Sequence, residues 1–215
     1  MKILLIGAGG MVGSRIATEA LRRGHDVIAA TRTGRVDGVP PGPHLTLVTA
    51  DANDPKAVAA LAEDADAVVS AVAPPRDGSP PTGPFLAVAG AIINGTRESD
   101  TRRLVWVGGA GSLEVGGNMR LSDTAGFPDA YKGEATAQGE VLDVFRDITD
   151  LDWTYVSPAA EIAPGERTGV FRVGANRLLT DAEGRSRISA EDYAVALVDT
   201  LEKGDHLRER ITVAY

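Results

Sequence analysis

Gly7, Gly10 and Gly13 follow the spacing G-x-x-G-x-x-G, with Gly9 as an extra member. That pattern suits the holding of a pyrophosphate. A glycine at a strand end permits a tight turn, one in the middle lets the backbone approach phosphate, and one early in a helix lets helix and strand pack closely. The flanking residues supply both elements. Residues 3–6 form an apolar run bounded by glycine, which reads as a buried strand. Val12, Ile16 and Ala20 recur at helical spacing until Arg22, Arg23 and Gly24 stop the helix. Such a helix turns free N–H groups and positive partial charge toward the phosphates. Glycine-rich turns also occur in ordinary βαβ units, but here strand, glycines, helix and second strand come in order. The pattern is a dinucleotide fingerprint.

The second strand, residues 26–30, bears on the choice of dinucleotide. An NAD(H)-specific site carries an acid at that strand's C-terminal end to bind the ribose hydroxyls. This chain has Thr31, Arg32 and Thr33 there, with Arg35 close behind, while Asp26 stands at the strand's beginning. A guanidinium donates charge-assisted bonds to a 2′-phosphate. A solvated surface arginine is the competing reading. The residues favour NADP(H) over NAD(H).

Composition narrows the class further. The 215 residues fit a single domain, 43% hydrophobic and 24% charged, as in a globular protein with a real core. A net charge of −8 argues against a nucleic-acid or anionic-membrane partner. There are no cysteines, hence no disulfide, thiolate metal site or cysteine nucleophile, and no residues show metal-ligand spacing. The first strand begins at residue 2, so no signal or transit peptide is expected, and no apolar run reaches membrane-spanning length. A cytoplasmic protein is expected. Self-association into a homo-oligomer stays open.

The elements that must position these residues alternate along the chain. Residues 45–50 read as a third strand and 55–63 as a short helix capped by Asp54. Residues 67–72 read as a fourth strand, nearly all apolar and therefore covered on both faces. A mobile Pro-rich loop is expected over residues 74–84, a helix over 85–97 and a fifth strand over 104–107. A glycine-rich stretch over 108–117 precedes a long helix over 131–148 and a sixth strand over 153–156. Residues 169–179 suggest a hairpin. Ser189 and Asp192 open a last helix, and 211–215 a final strand. This order predicts a Rossmann-type, doubly wound parallel α/β sheet spanning 1–215, with a small C-terminal substrate lobe after about residue 157. Ligands of such sheets bind beyond the strand C-termini, so the rim collects residues 31–32, 51–52, 71–73, 108–112 and 157–160. Asp51 is placed to bond an adenine amino group, or to serve as a cap or turn residue.

The segments GAGGMVG, TRT, TADANDP and VGGAGSL resemble the atypical short-chain dehydrogenase/reductases. More specifically, DWTYVSPAAEIAPGERTG and ISAEDYAVALVDTLE are similar to the NAD(P)H-binding, NmrA-like group, which includes NADH-flavin reductase-like and flavin (biliverdin) reductase-like proteins. The resemblance covers nearly the whole chain. It implies that Gly7, Gly10, Met11, Val12 and Gly13 hold the pyrophosphate and Arg32 the 2′-phosphate. It puts Asp51 and Ala52 beside the adenine, and Ala71, Val72 and Ala73 beside the nicotinamide ribose. Pro158 matches the proline turn bordering the nicotinamide carboxamide. Ser112 matches a substrate-polarising hydroxyl, with a simple turn serine as the alternative.

One departure bears on the chemistry. Short-chain dehydrogenases commonly use Tyr-x-x-x-Lys, whose lysine lowers the tyrosine's pKa. Here Tyr131 is followed directly by Lys132, and Ala135 stands at the fourth position. Adjacent helical residues point about 100° apart, so Lys132 is no simple replacement. Tyr131 is thus a candidate proton donor or a packing residue. The leading expectation is hydride transfer from NADPH to a flat, conjugated flavin or quinone-like acceptor, which needs little help from a dedicated tyrosine. The alternatives are a non-catalytic NADP(H) sensor and a metabolite-specific ketoreductase or epimerase.

Overall fold

A computed structural model describes residues 1–75, 79–117 and 119–215. The first half runs β1 (Lys2–Ile6), α1 (Met11–Arg22), β2 (Asp26–Thr31), β3 (Leu45–Thr49), α2 (Pro55–Ala62), β4 (Ala67–Ser70) and α3 (Thr82–Glu98). Next come β5 (Arg103–Val107), a short hairpin of β6 (Glu114–Gly116) and β7 (Met119–Arg120), a 3-10 turn (Leu121–Asp123) and α4 (Asp129–Arg146). The chain finishes with β8 (Asp152–Ser157), β9 (Glu161–Ala163), β10 (Arg172–Gly174), β11 (Arg187–Ser189), α5 (Ala190–Lys203) and β12 (Glu209–Ala214).

Eight strands form one sheet in the order β10-β12-β8-β5-β4-β1-β2-β3, parallel except for β10. Sequence order reverses between β1 and β4, so the connections leaving these two strands diverge and open a crevice at their C-terminal ends. Both faces are covered. Ile16, Ala17 and Ala20 of α1 and Tyr193 and Leu197 of α5 pack one face with Leu5 and Val69. Phe85, Ile92 and Phe145 of α3 and α4 pack the other with Trp106 and Trp153. Every residue of β4 is buried, as its apolar run predicts. Asp54 caps α2 through the Lys56 N–H, and Ser189 caps α5 through the Asp192 N–H.

The C-terminal third divides. β9 and β11 pair outside the main sheet, whereas α5 and β12 belong to its layers. The hairpin expected over 169–179 does not form. β10 instead pairs antiparallel with β12 and closes the edge of the sheet. An open strand edge offers a full row of backbone partners, more than a short weak hairpin provides. Within the loop expected over 74–84, residues 76–78 lie outside the described residues, and α3 already begins at Thr82.

The segment 164–169 is tied down by acids on α1 and α5. Glu191 accepts from the Gly165 N–H and Arg15, and Asp192 accepts from the N–H groups of Thr168 and Gly169. Glu19, only 4% exposed, accepts from Arg22, Arg23 and Arg167. Burial by itself raises the Glu19 carboxyl, but the bonds from Arg167, Arg22 and Arg23 outweigh it and hold it far below the usual carboxylate range. A depressed pKa stabilises the fold above the unfolded value near 4.3, and that stability is lost as pH falls below it. Glu19→Gln should cost about 2 kcal/mol at pH 7. That is less than the roughly 3–5 kcal/mol of a fully buried pair, because Arg22 and Arg167 reach water and Arg23 keeps Asp199 and Glu202. The variant should also lose less stability than the wild type between pH 5 and 3. Thermal melts across that range test both expectations, and identical acid limbs would refute them.

Candidate functional site

The first glycine turn sits in the crevice. Gly7 takes φ +85°, and a Cβ there would lie 2.7 Å from the Ala71 carbonyl and 2.9 Å from the Val72 nitrogen. The turn therefore presses against the chain leaving β4, and Gly7 meets Ala71 and Val72 directly. A Cβ on Gly13 would lie 2.2 Å from the Gly7 oxygen, so its role is close packing of α1 on the turn. Gly10 differs. Its nearest neighbour is the Gly7 oxygen at 3.5 Å, an ordinary contact, so the protein itself does not require a glycine there.

α1 begins at Met11 with no side-chain cap and no acid in its first turn. The Gly10 N–H is bonded to the Gly7 carbonyl and the Ser14 N–H to the Gly10 carbonyl. Between them, the N–H groups of Met11, Val12 and Gly13 have no partner among the described residues. An uncapped helix start facing a cradle without side chains fits an anionic pyrophosphate.

Arg32 follows β2 and is exposed, with no hydrogen bond or ion pair among the described residues. Asp51, following β3, accepts from the Asn53 N–H and the Asn53 side-chain amide, each at 3.0 Å. These bonds, with a smaller contribution from the nearby Arg32 charge, lower the Asp51 carboxyl. Asp51 thus serves its own turn while lying beside Arg32, and Ala52 is half-buried against the core.

Three hydroxyls stand at strand ends, of which the sequence places Thr31 and Ser157 on the rim but gives no signal for Ser70. The side-chain oxygens of Thr31, Ser70 and Ser157 end β2, β4 and β8, and each is buried without a hydrogen-bond partner among the described residues. An unsatisfied buried hydroxyl costs about 1–3 kcal/mol. Their placement on the rim fits a polar ligand there. Ala73 follows β4 on this rim, and Pro158 is buried directly after Ser157.

The candidates for proton handling do not converge. Ala135 packs against Gly111, and Gln138 against Gly109, so this face of α4 looks onto the glycine-rich strap. Tyr131 lies on the same face one turn earlier and is 55% exposed. The place where a lysine would support it holds Ala135, half-buried against the strap. A Cβ on Gly111 would come within 2.5 Å of the Ala135 Cβ, so the strap and α4 approach closely there. Lys132 points elsewhere and pairs with Asp129 at 2.6 Å, on the wall of a cleft of about 660 Å³ that Ser122, Phe127 and Thr136 also line. Ser112 lies beside Gly139, eight residues further along α4 than Tyr131, which is about 12 Å of helix. Its hydroxyl oxygen accepts from Arg210 at 3.0 Å.

Among the described residues, no helix is long and apolar enough to cross a membrane.

Comparison with known proteins shows the family of the chain. Residues 7–203 match the profile of a family described as NAD(P)H-binding. A solved protein of Burkholderia pseudomallei, provisionally named an exported protein, is 48% identical, with all of both chains covered and a TM-score of 0.88. A provisionally named epimerase of Bacteroides thetaiotaomicron is 38% identical, covering 100% of this chain and 96% of its own, at a TM-score of 0.90. A provisionally named NADH-flavin reductase of Streptococcus pneumoniae is 34% identical, covering 100% and 99%, at 0.84.

Proposed function

Because this chain belongs to the NAD(P)H-binding family, within the NmrA-like atypical short-chain dehydrogenase/reductases, we propose that it moves hydride from NADPH to a flat, conjugated acceptor of the flavin or quinone type. The observation that carries this reading is Ala135, small and uncharged beside Gly111, in the place one helical turn beyond Tyr131 where a lysine would stand. Without that lysine, Tyr131 lacks the cation that would make it a strong proton donor. An acceptor that takes hydride with little need for a positioned acid suits such a site.

In this reading the N–H groups of Met11, Val12 and Gly13 receive the pyrophosphate, with Gly7 and Gly10 leaving the backbone open to it. Arg32 meets the 2′-phosphate, and Asp51 and Ala52 border the adenine. Ala71, Val72 and Ala73 on one side and Pro158 on the other bound the nicotinamide end. When bound, the nicotinamide supplies the hydride. The residues around it contribute orientation, which can be worth about 7–11 kcal/mol of barrier.

The test is NADPH oxidation against a panel of free flavins, quinones and carbonyl compounds, beside a cofactor-binding titration. Flavin or quinone turnover is expected. Tyr131→Phe should lower the single-turnover rate less than about tenfold, below the 10²–10⁴-fold of a true general acid. A thousandfold loss with binding intact would restore the tyrosine mechanism and favour a carbonyl or epimerase substrate. Tight NADPH binding without oxidation by any acceptor would make the protein a cofactor sensor.

A further inference from the structure

On the α4 side of β12, Arg210 is only 7% exposed, yet no carboxylate pairs with it among the described residues. Its Nε and one terminal nitrogen donate to the side-chain and backbone oxygens of Asn176, and the other terminal nitrogen donates to the Ser112 hydroxyl and carbonyl. These bonds pin the turn at Ser112 to the 176–178 segment, but all of them go to neutral atoms. Buried charges in proteins are ordinarily paired.

The same guanidinium lines a pocket of about 220 Å³ together with Arg120, Arg146, Ser112, Glu114 and Asp143. Arg120 is exposed and has no hydrogen bond or ion pair among the described residues, and it reaches alongside Gly139, where the absent side chain leaves room. Arg146 is matched by Asp143 at 2.7 Å. Glu114 has no ion pair among the described residues, and its single charge only partly offsets the other two guanidiniums. The corner therefore keeps a net positive charge in a chain whose overall charge is −8. Burial draws Arg210 below its usual pKa, and neighbouring Arg146 adds to the effect.

We propose that this corner is an oxyanion site for inorganic phosphate or a phosphomonoester group, held by Arg210 and Arg120 with the Ser112 hydroxyl beside them. At about 220 Å³ it is smaller than the roughly 300–1,000 Å³ typical of whole-ligand clefts, so it admits an anionic group and not a ring system. The fork of Arg120 matches a tetrahedral oxyanion, and Arg210, most of whose N–H groups go to Asn176 and Ser112, adds its charge. The site is separate from the helix α1 terminus and does not depend on how the acceptor is assigned.

Calorimetric titration tests it, with inorganic phosphate, phenyl phosphate and phenol as probes, each with and without saturating NADP⁺. Phosphate is expected to bind in both conditions. Arg120→Gln, whose side chain holds nothing else in place, should weaken binding at least tenfold with an unchanged melting temperature. Glu114→Gln should tighten it about threefold. Phenyl phosphate binding tenfold more tightly than phosphate, with the same dependence on Arg120 and no binding of phenol, identifies a phosphomonoester. Equal affinities identify free phosphate. The proposal is overturned if NADP⁺ abolishes phosphate binding, or if Arg120→Gln leaves every affinity unchanged, which would make Arg210 a purely structural brace.

Discussion

Gly13→Val is expected to prevent stable folding, whereas Gly10→Val should fold and fail to bind the cofactor. At Gly13 the new Cβ alone would come within 2.2 Å of the Gly7 oxygen and 3.0 Å of the Ala8 Cα. Both neighbours are backbone, in a turn already fixed by the Gly7 N–H bonded to Ala30 and by contact with Ala71. Relief requires α1 to lift from β1, uncovering Ile16 and Ala17, which are fully buried. A loss above about 4 kcal/mol follows, a large part of the 5–15 kcal/mol that stabilises a typical domain. At Gly10 the nearest atom is 3.5 Å away and φ is −78°, which any residue adopts. The fold should lose only about 1 kcal/mol there, from a poorer helix cap. A branched side chain over the free N–H groups of α1 nevertheless stands where a pyrophosphate must approach. Thermal melts with NADPH titrations separate the two outcomes. A Gly10→Val protein that binds normally would remove the α1 terminus from the site.

Arg32→Glu should weaken NADPH binding more than a hundredfold while changing NADH binding little. Arg32 is exposed and has no hydrogen bond or ion pair among the described residues, so replacing it should leave the fold intact. Each lost charge-assisted bond to a 2′-phosphate is worth about 1.5–3 kcal/mol. The new carboxylate would also stand beside Asp51, and two acids repel a phosphate where one cation had attracted it. NADH lacks that phosphate and should be nearly indifferent. Increasing salt should narrow the wild-type preference, since exposed charges are screened over about 10 Å at 0.1 M. If both dissociation constants rose together, Arg32 would not be reading the phosphate.

Much of this protein is legible in the residues alone, because the signals involved are local. Strand, glycine turn and helix follow one another within about twenty residues, and the turn's φ and the close packing at Gly13 are properties of that short stretch. The continuous apolar run of β4, the Asp54 and Ser189 caps and the basic residue after β2 are equally local, and alternating strands and helices leave few ways to arrange the sheet. Tertiary structure alone decided the rest. β10 was readable as half of a hairpin until the open edge of β12 gave it a stronger partner. Ser112 reads as a substrate-polarising hydroxyl or a turn serine, and only the fold shows that it lies beside Gly139, about two turns along α4 from Tyr131, and accepts from Arg210, a residue nearly a hundred positions away. Ala135 reads as a missing lysine, and only the fold shows that it packs against Gly111 of the strap. The buried hydroxyls of Thr31, Ser70 and Ser157 are unremarkable in sequence, since a serine's need for a partner depends on what the fold places around it. Propensity and spacing act over a few residues, whereas burial, pairing and steric exclusion arise between segments that the sheet brings together.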